Sequence, residues 1–176
     1  ENSIAVVTVT GAQLLEALEA ATWCSPAAVG SFPQVAGMEF TVDTRVDCAA
    51  GELYPDSTYH APAEPATRVT ITSIGGEEFD PEAEYMIATN DLIAAGGESY
   101  YAFTRASYKF DIGISLEDAL ANYISGPLGG TVGGQYASPQ GRVRLIETDL
   151  DEFTDLTPGA WYEQSVRYAV ENGYMV

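Results

Sequence analysis

The residues best suited to contact a ligand lie in one short segment, residues 90–98, with the sequence NDLIAAGGE. Two consecutive glycines, Gly96 and Gly97, allow the backbone to turn sharply and to approach a ligand without interference from a side chain. Glu98 follows them with a carboxylate, a group that accepts hydrogen bonds readily. The segment predicts a ligand-contacting turn beside the end of a strand, but a pair of glycines does not by itself specify a ligand.

Residues for catalysis are scarce. A nucleophilic triad needs a histidine base, and the chain has one histidine, His60, in a proline-rich segment. A dinuclear phosphoesterase site needs several His, Asp and Asn ligands, and with one histidine this chain is not expected to build one. His60 is interpreted as an exposed loop residue, with a ligand role as the alternative. We predict no catalytic residue, no metal site and no cofactor within this chain.

The charge balance narrows the possible partners. Seven basic residues face 26 acidic ones, for a formal net charge of -19. Because such a field repels phosphate backbones and anionic headgroups, nucleic acid and membrane surfaces are excluded as expected partners. No run of about 18 apolar residues is present, so no membrane-spanning helix is expected. The single lysine and the many acidic residues suit an exported protein.

The only two cysteines, Cys24 and Cys48, leave two interpretations open. Their spacing is compatible with one disulfide that closes a loop of roughly 25 residues, and equally with two free thiols. The spacing matches no zinc motif. The redox state of the pair therefore stays undecided at the level of sequence.

Hydrophobic periodicity predicts the elements that must position these residues. Thr10 and Gln13 have the spacing of a capping box, so a helix should begin there and end before Pro26. Gly75 and Gly76 should form a turn that joins two strands as a hairpin. Continuous or alternating apolar residues predict strands at 4–9, 38–42, 68–74, 85–89 and 142–146.

Two further segments complete the predicted domain. Residues 49–67 contain three prolines and are predicted to form a long loop, whose length favours a surface excursion that could line a site. Ser115 should cap an amphipathic helix that buries one apolar face, formed by Leu116, Ala119, Leu120, Tyr123 and Ile124. The element order predicts an α+β domain over residues 1–148, followed by an acidic linker and a short helical segment over 149–176.

Three motifs occur in an order that resembles the C-terminal, substrate-recognising domain of the secreted 5'-nucleotidase family. They are TGAQLLEALE at 10–19, GSFPQVAG at 30–37 and YMIATNDLIAAGG at 85–97. The resemblance spans about residues 2–147 and implies a mixed sheet with packed helices that is incomplete at its start. It also implies that divalent metals and bond cleavage belong to an N-terminal metallophosphoesterase domain outside this sequence.

The same resemblance implies which residues contact a nucleoside. The family stacks the base between two aromatic rings, one of which would precede Glu1, while the second aligns with Leu92. Asn2 matches an amide that reads the base edge, and Gly30 matches a glycine close to the base. Glu98 matches an acidic residue that binds the ribose hydroxyls, with a merely exposed carboxylate as the alternative. The predicted substrate-binding set is Asn2, Gly30, Leu92, Gly96, Gly97 and Glu98.

The C-terminal segment resembles the first half of an S-layer homology repeat. The resemblance rests on FTDL at 153–156, Trp161, Tyr168-Ala169 and NGYM at 172–175. In that family, sets of repeats hold proteins on the Gram-positive cell wall by binding wall polymers, so an extracellular, wall-attached location is implied. A capped C-terminal helix without a ligand is the alternative.

Three hypotheses follow. The first is that the chain recognises nucleosides for a secreted, wall-associated 5'-nucleotidase and is not catalytic by itself. The second is that it is a binding or spacer module whose nucleoside site has decayed, as the departures at Leu92 and Glu98 allow. The third is that an exposed sheet edge or groove favours self-association.

Overall fold

The structure is a computed structural model that describes residues 2–63, 67–147, 150, 153, 155–157, 159–171 and 174–175. Within these residues the strands are Ser3–Thr10 (β1), Met38–Asp43 (β2), Ala50–Leu53 (β3), His60–Pro62 (β4), Val69–Ile74 (β5), Glu77–Glu78 (β6), Glu84–Asn90 (β7), Tyr108–Ser115 (β8) and Val143–Ile146 (β9). The helices are Gly11–Ala21 (α1), Asp91–Ala94 (α2), Leu116–Ser125 (α3) and Glu163–Glu171 (α4). Two short 3-10 turns lie at Tyr101–Arg105 and Gly134–Tyr136.

The strands form three sheets. In the first, β1 lies between β7 and β8 and is antiparallel to both. The second has the order β6-β5-β2-β9, in which β2 is antiparallel to β5 and parallel to β9. The third is the antiparallel pair β3-β4. The predicted α+β class is confirmed, and so are the five predicted strands, within one or two residues at their ends.

Helix α1 forms where its capping box predicts. The Gln13 amide donates to Thr10 Oγ1 at 3.2 Å, and the Thr10 amide donates to Gln13 Oε1 at 2.9 Å, so two orphan helix-end donors are satisfied. The helix packs against β1, β5 and the turn at Tyr101–Arg105. Its buried face joins both larger sheets in one core, in which Val7, Val42 and Phe40 are fully or almost fully buried.

One predicted strand pairing and one predicted loop are wrong. The Gly75-Gly76 turn, with φ of 64° and 86°, joins β5 to the two-residue strand β6 and not to β7. Strand β7 instead pairs with β1, with Ile4 opposite Asn90. The predicted loop over 49–67 contains the β3-β4 hairpin. Its strands are not recognisable from sequence, because they are short, lie beside prolines and carry too little periodicity.

Helix α3 begins at its predicted cap, with the Asp118 amide donating to Ser115 Oγ at 3.0 Å. Its predicted buried face is wrong. Leu116, Leu120 and Tyr123 are 41 %, 60 % and 47 % exposed, and Ala119 and Ile124 are only partly buried. The apolar stripe exists, but in this chain no described element covers it.

The first sheet also exposes apolar side chains. On its outer face the register places Met86 and Tyr108 on either side of Thr8, and Phe110 beside Val6. Met86 is 74 % exposed and Phe110 is 52 % exposed. The self-association predicted through an exposed sheet edge or groove stays a prediction.

The C-terminal segment includes α4, whose Arg167 forms ion pairs at 3.2 Å with Glu163 and with Glu147. Trp161 precedes the helix and is 91 % exposed. Thr154, Asn172 and Gly173 of the predicted repeat lie outside the described residues, as does most of the predicted acidic linker. Among the helices of the described chain, none has the length and apolar character needed to cross a membrane.

Candidate functional site

The glycine turn is built by the short helix α2. Asn90 caps this helix, with Oδ1 accepting from the Ile93 amide at 2.8 Å. The helix closes at once, because the Gly96 amide donates to the Ile93 carbonyl and the Gly97 amide donates to the Leu92 carbonyl, both at 2.9 Å. The backbone thus reverses directly after β7, as the sequence predicts for residues 90–98.

The two glycines are required by this geometry. Gly96 has φ of 89°, a conformation that favours glycine. A Cβ on Gly97 would lie 2.7 Å from Leu92 Cδ1 and 2.8 Å from the Leu92 carbonyl oxygen. Leu92 therefore packs on the Gly97 backbone, although 48 % of the residue remains exposed. These contacts explain both glycines without a ligand.

Gly30 differs from that pair. A Cβ at Gly30 would meet no atom within 4 Å, and its φ lies outside the left-handed region. Neither packing nor backbone conformation requires a glycine here. The open space beside an exposed backbone is what close approach of a ligand would need.

Glu98 carries the conformational outlier of the turn. Its φ is 54°, which is uncommon for a residue with a side chain. The carboxylate is exposed, and Tyr59 donates its hydroxyl to Glu98 Oε2 at 3.3 Å. The negative charge of Glu98 raises the pKa of Tyr59 above its usual value. Left-handed residues other than glycine are concentrated at functional sites, where surrounding contacts hold the strain.

The Gly30 loop and the Glu98 turn are joined through Tyr100. Its hydroxyl donates to the Ser31 carbonyl at 2.9 Å, and its amide donates to the Gly97 carbonyl at 3.1 Å. Tyr100 is 6 % exposed and packs in the core. This buried residue therefore fixes the two predicted ligand-contacting segments relative to each other.

Asn2 lies at the same end of the first sheet as α2, because Ile4 is opposite Asn90 in the β1-β7 pair. Its carbonyl accepts from the Leu116 amide at 3.0 Å, and the residue is exposed. Leu92, Gly96 and Gly97 thus lie in one hydrogen-bonded turn that Glu98 directly follows, and Tyr100 ties this turn to Ser31, the neighbour of Gly30. Asn2 is placed at the neighbouring strand end and is tied to α3.

A cavity of about 380 Å³ adjoins the turn. Its wall includes Ser99, which follows Glu98, and Tyr59, which binds the Glu98 carboxylate. Trp23 and His60 also line it. Small apolar residues complete most of the remaining wall, so the cavity is mainly apolar. The proline-rich segment therefore lines a cavity through its β3-β4 hairpin, and that this cavity is a site stays a prediction.

The hairpin is held in place by Tyr54. Its hydroxyl donates to Glu16 Oε1 at 2.7 Å, and its ring stacks on Tyr101 with centroids 4.3 Å apart. The Tyr54 amide donates to the Tyr59 carbonyl at 3.0 Å, which closes the tip of the hairpin. Tyr59 is therefore presented to the cavity by a buried anchor. Sequence reasoning missed Tyr59; the tyrosines flanking Pro55 were the available signal.

Arg68 holds the segment after α1 that contributes Trp23 to the cavity lining. Its guanidinium donates to the carbonyls of Thr22 and Trp23 at 3.3 Å and 3.2 Å, and to that of Ser25 at 2.8 Å. It thereby satisfies carbonyls at the carboxyl end of α1. Since Arg68 is 5 % exposed, it is a structural cation and cannot serve an anionic ligand at the surface.

Glu19 lies beside Arg68 and also lines the cavity. Its carboxylate accepts from the Val69 amide at 2.7 Å. Burial raises the pKa of Glu19, and the bonds to the backbone and the charge of Arg68 oppose that shift. Glu19 thus contributes one carboxyl group to the cavity lining, and the Val69 amide holds it in place.

The described residues contain no group of three or more His, Cys, Asp or Glu side chains placed to hold a metal ion. Cys24 and Cys48 are both free thiols, the first partly buried and the second exposed. His60 is exposed, and its Nδ1 lies 3.1 Å from the Gly51 carbonyl oxygen. The donor set does not fit a dinuclear metal centre, so no catalytic step through a metal is assigned to these residues.

Comparison with known proteins gives a family match. The family model described as 5'-nucleotidase, C-terminal domain, matches residues 1–105. A curated relative, the trifunctional nucleotide phosphoesterase protein YfkN of Bacillus subtilis (strain 168), is 29 % identical over 171 residues. The match covers 96 % of this chain and 10 % of that protein. The chain thus corresponds to a small part of its relative.

Solved structures share the fold. The 5'-nucleotidase precursor of Thermus thermophilus superposes with a TM-score of 0.63 at 23 % identity, over 84 % of this chain and 26 % of that one. A putative 5'-nucleotidase of Staphylococcus aureus gives a TM-score of 0.55 at 20 % identity, over 84 % and 28 % of the two chains. At these identities the likeness establishes the architecture alone.

Proposed function

Because the chain belongs to the 5'-nucleotidase C-terminal domain family, we propose that it recognises the nucleoside part of a nucleotide for a phosphoesterase. Cleavage of the phosphate ester and the divalent metals belong, in this proposal, to a metallophosphoesterase domain of the same protein. The part of the chain that the structure describes offers no ligand cluster for such metals. Nucleoside recognition and cleavage of the phosphate ester accordingly lie in different domains.

The observation that carries the proposal is the Glu98 turn. Glu98 carries an exposed carboxylate on a left-handed backbone. The buried Tyr100 ties the turn before it to the loop that contains Gly30. Ionised carboxylates form strong hydrogen bonds with neutral hydroxyl donors, such as the two hydroxyls of a ribose. Gly30 adds an open stretch of backbone on which a flat ligand could lie.

Titration calorimetry with adenosine tests the proposal on the 176-residue chain. We expect saturable binding that Glu98→Gln weakens by about tenfold, because a charged acceptor is replaced by a neutral one. Glu39→Gln, at another exposed glutamate, is the matched control and should leave the affinity unchanged. A flat trace at millimolar adenosine would refute recognition by this chain and favour a spacer module with a decayed site.

A second assay tests the division of labour. The chain should release no phosphate from AMP in the presence of divalent metal ions, since its described residues hold no suitable ligand set. The proposal would be overturned if the purified chain released phosphate in a metal-dependent way and the activity co-purified with the chain through further steps. The chemistry would then lie in these residues.

We also propose that the segment over 149–176 belongs to a wall-attachment region built from S-layer homology repeats, in an extracellular protein of a Gram-positive cell. The motif residues Phe153, Asp155 and Trp161 support this proposal. Half a repeat should not bind by itself, because repeat units need neighbours to bury their faces. Cosedimentation with purified cell walls should therefore require additional repeats. Strong cosedimentation of this chain alone would contradict that view.

A further inference from the structure

We propose that Tyr59 is a positioning residue for Glu98, because its hydroxyl orients the carboxylate that binds the two ribose hydroxyls of a nucleoside. The assignment rests on the proposed function and leaves the base where the family resemblance places it, beside Asn2, Gly30 and Leu92. Tyr59 acts through Glu98 and is assigned no contact with the ligand. It lies on the β3-β4 hairpin, which is outside the three sequence motifs that carry the resemblance.

A carboxylate that binds ribose at position 98 needs a contact that orients it. The backbone of Glu98 is fixed with φ of 54°, but its side chain is exposed. A glutamate side chain has several rotatable bonds, so an exposed one samples several rotamers. Tyr59 restricts this freedom by donating its hydroxyl to Glu98 Oε2 at 3.3 Å. The charge of Glu98 raises the pKa of Tyr59, so the phenol keeps the proton that it donates.

The bond orients the carboxylate without saturating it. A carboxylate has two oxygens with about four lone-pair sites, and the Tyr59 hydroxyl uses one of them on Oε2. The remaining sites can accept from the two hydroxyls of a ribose. The distance of 3.3 Å is longer than the roughly 2.8 Å typical of O–H···O bonds, so Tyr59 competes weakly with a ligand. Because the donor is neutral, Glu98 also keeps the charge that strengthens its bonds to ribose.

Tyr59 can hold Glu98 because its own backbone is fixed at the tip of the hairpin. Its carbonyl accepts from the Tyr54 amide at 3.0 Å, and its amide donates to Ser57 Oγ at 3.0 Å. Tyr54 is 6 % exposed, whereas Tyr59 is 37 % exposed. A buried residue of the hairpin thus supports the accessible residue that contacts Glu98.

The hairpin is tied again to the chain segment that carries Glu98. The Tyr54 ring stacks on Tyr101 with centroids 4.3 Å apart, and Tyr101 follows Glu98 by three residues. Glu16 also connects the two sides, because it accepts from the Tyr54 hydroxyl and from the Arg105 guanidinium. The contact between Tyr59 and Glu98 is therefore supported by further contacts between the same segments. Groups that are ordered before a ligand arrives lose less conformational entropy on binding.

Two other roles of Tyr59 predict different results. A tyrosine that only supports the hairpin would affect every ligand alike, with or without the Glu98 carboxylate. A tyrosine that competes with ribose for the carboxylate would lower the affinity, so its removal would strengthen binding. A positioning tyrosine predicts a loss that depends both on the ribose hydroxyls and on Glu98.

Titration calorimetry of Tyr59→Phe with adenosine and with 2',3'-dideoxyadenosine separates these roles. The second ligand keeps the base and the sugar ring but lacks both hydroxyls that Glu98 is proposed to bind. Tyr59→Phe should weaken adenosine binding by about 3- to 10-fold, the effect of ordering one long side chain on binding. It should leave the affinity for 2',3'-dideoxyadenosine within about twofold of wild type. Tyr108→Phe, at another partly exposed tyrosine, is the matched control and should change neither affinity.

A double-mutant cycle shows whether Tyr59 acts through Glu98. In the Glu98→Gln background, Tyr59→Phe should change the adenosine affinity by less than about twofold, because no carboxylate is left to orient. Circular dichroism of each variant verifies that it is folded. A loss of the same size in both backgrounds would assign Tyr59 a structural role and overturn the positioning role.

The results distinguish the positioning role from the proposed function. Suppose that adenosine binds and Glu98→Gln weakens it, while Tyr59→Phe leaves the affinity unchanged or raises it. The positioning role would then be overturned, and nucleoside recognition would stand. Equal losses for adenosine and 2',3'-dideoxyadenosine would also overturn the positioning role. Absence of adenosine binding in wild type would overturn both. A loss confined to adenosine and to the background that keeps Glu98 would support the positioning role.

Discussion

Replacing Gly97 by alanine is expected to damage the fold, whereas the same replacement at Gly30 is not. The new Cβ at position 97 would lie 2.8 Å from the Leu92 carbonyl oxygen and 2.7 Å from Leu92 Cδ1. The exposed leucine side chain can rotate away. The carbonyl cannot, because it accepts the Gly97 amide at 2.9 Å, so the backbone itself must shift.

The magnitude follows from the kind of clash. Overpacking that forces a backbone shift costs about 1–3 kcal/mol. With a urea m-value of about 2 kcal/mol/M, the unfolding midpoint of Gly97→Ala should fall by about 0.5–1.5 M. Gly30→Ala places its Cβ in open space and should stay within about 0.5 kcal/mol of wild type.

Urea unfolding followed by far-ultraviolet circular dichroism measures both variants, and adenosine calorimetry gives a second readout. Gly30→Ala should remain fully folded yet lose at least about tenfold in affinity, since a methyl group would stand where a ligand must approach the backbone. Equal urea midpoints for the two variants would refute the packing argument. Unchanged adenosine affinity in Gly30→Ala would refute the placement of the ligand beside that loop.

Three further predictions concern the scaffold. Thr10→Ala removes the cap of α1 and should lower the free energy of unfolding by about 1 kcal/mol in urea titrations, whereas an unchanged value would show that the capping box contributes nothing. Burial raises the pKa of Glu19 above its ordinary value of 4.5. Between the ordinary pKa and the raised one, Glu19 binds more protons in the folded chain than in the unfolded chain, so the free energy of unfolding falls as the pH rises. The stability of Glu19→Gln relative to wild type should therefore improve between about pH 4.5 and about pH 7, and a constant difference would contradict the assigned shift. Burial also raises the pKa of the Cys24 thiol, so iodoacetamide at about pH 8 should modify the exposed Cys48 several times faster, as peptide mass spectrometry would show, and equal rates would contradict the assignment.

The parts of the fold that sequence predicts are those specified by local signals. The capping box at Thr10 and the cap at Ser115 each predict where a helix begins. The alternation of apolar and polar residues at 38–42 predicts a strand with one buried face. The glycine turn belongs to the same class, because positive φ at Gly96 restricts the residue type. In each case neighbouring residues carry the information.

The failures concern contacts between distant segments. Strand β7 pairs with β1 across roughly 80 residues, and nothing in the Gly75-Gly76 turn excludes pairing with β5 instead. The apolar stripe of α3 is visible in the sequence, but the element that covers such a stripe is not. Tyr59 reaches Glu98 only because Tyr54 anchors the hairpin on Glu16, a contact without any sequence signature.

The strain at Glu98 gives the candidate site a physical rationale that the glycines lack. A left-handed residue with a side chain costs about 1–3 kcal/mol and persists only where neighbouring contacts over-determine it. Here hydrogen bonds fix the turn on both sides of Glu98. The Gly97 amide donates to the Leu92 carbonyl, and Tyr100 donates its amide to the Gly97 carbonyl and its hydroxyl to the Ser31 carbonyl. Glycine at position 98 would adopt the same backbone without that cost, so packing does not explain the glutamate. What glutamate adds is a carboxylate on a fixed backbone, directed at the Tyr59 hydroxyl beside the cavity, and this is the group that we propose for ribose recognition.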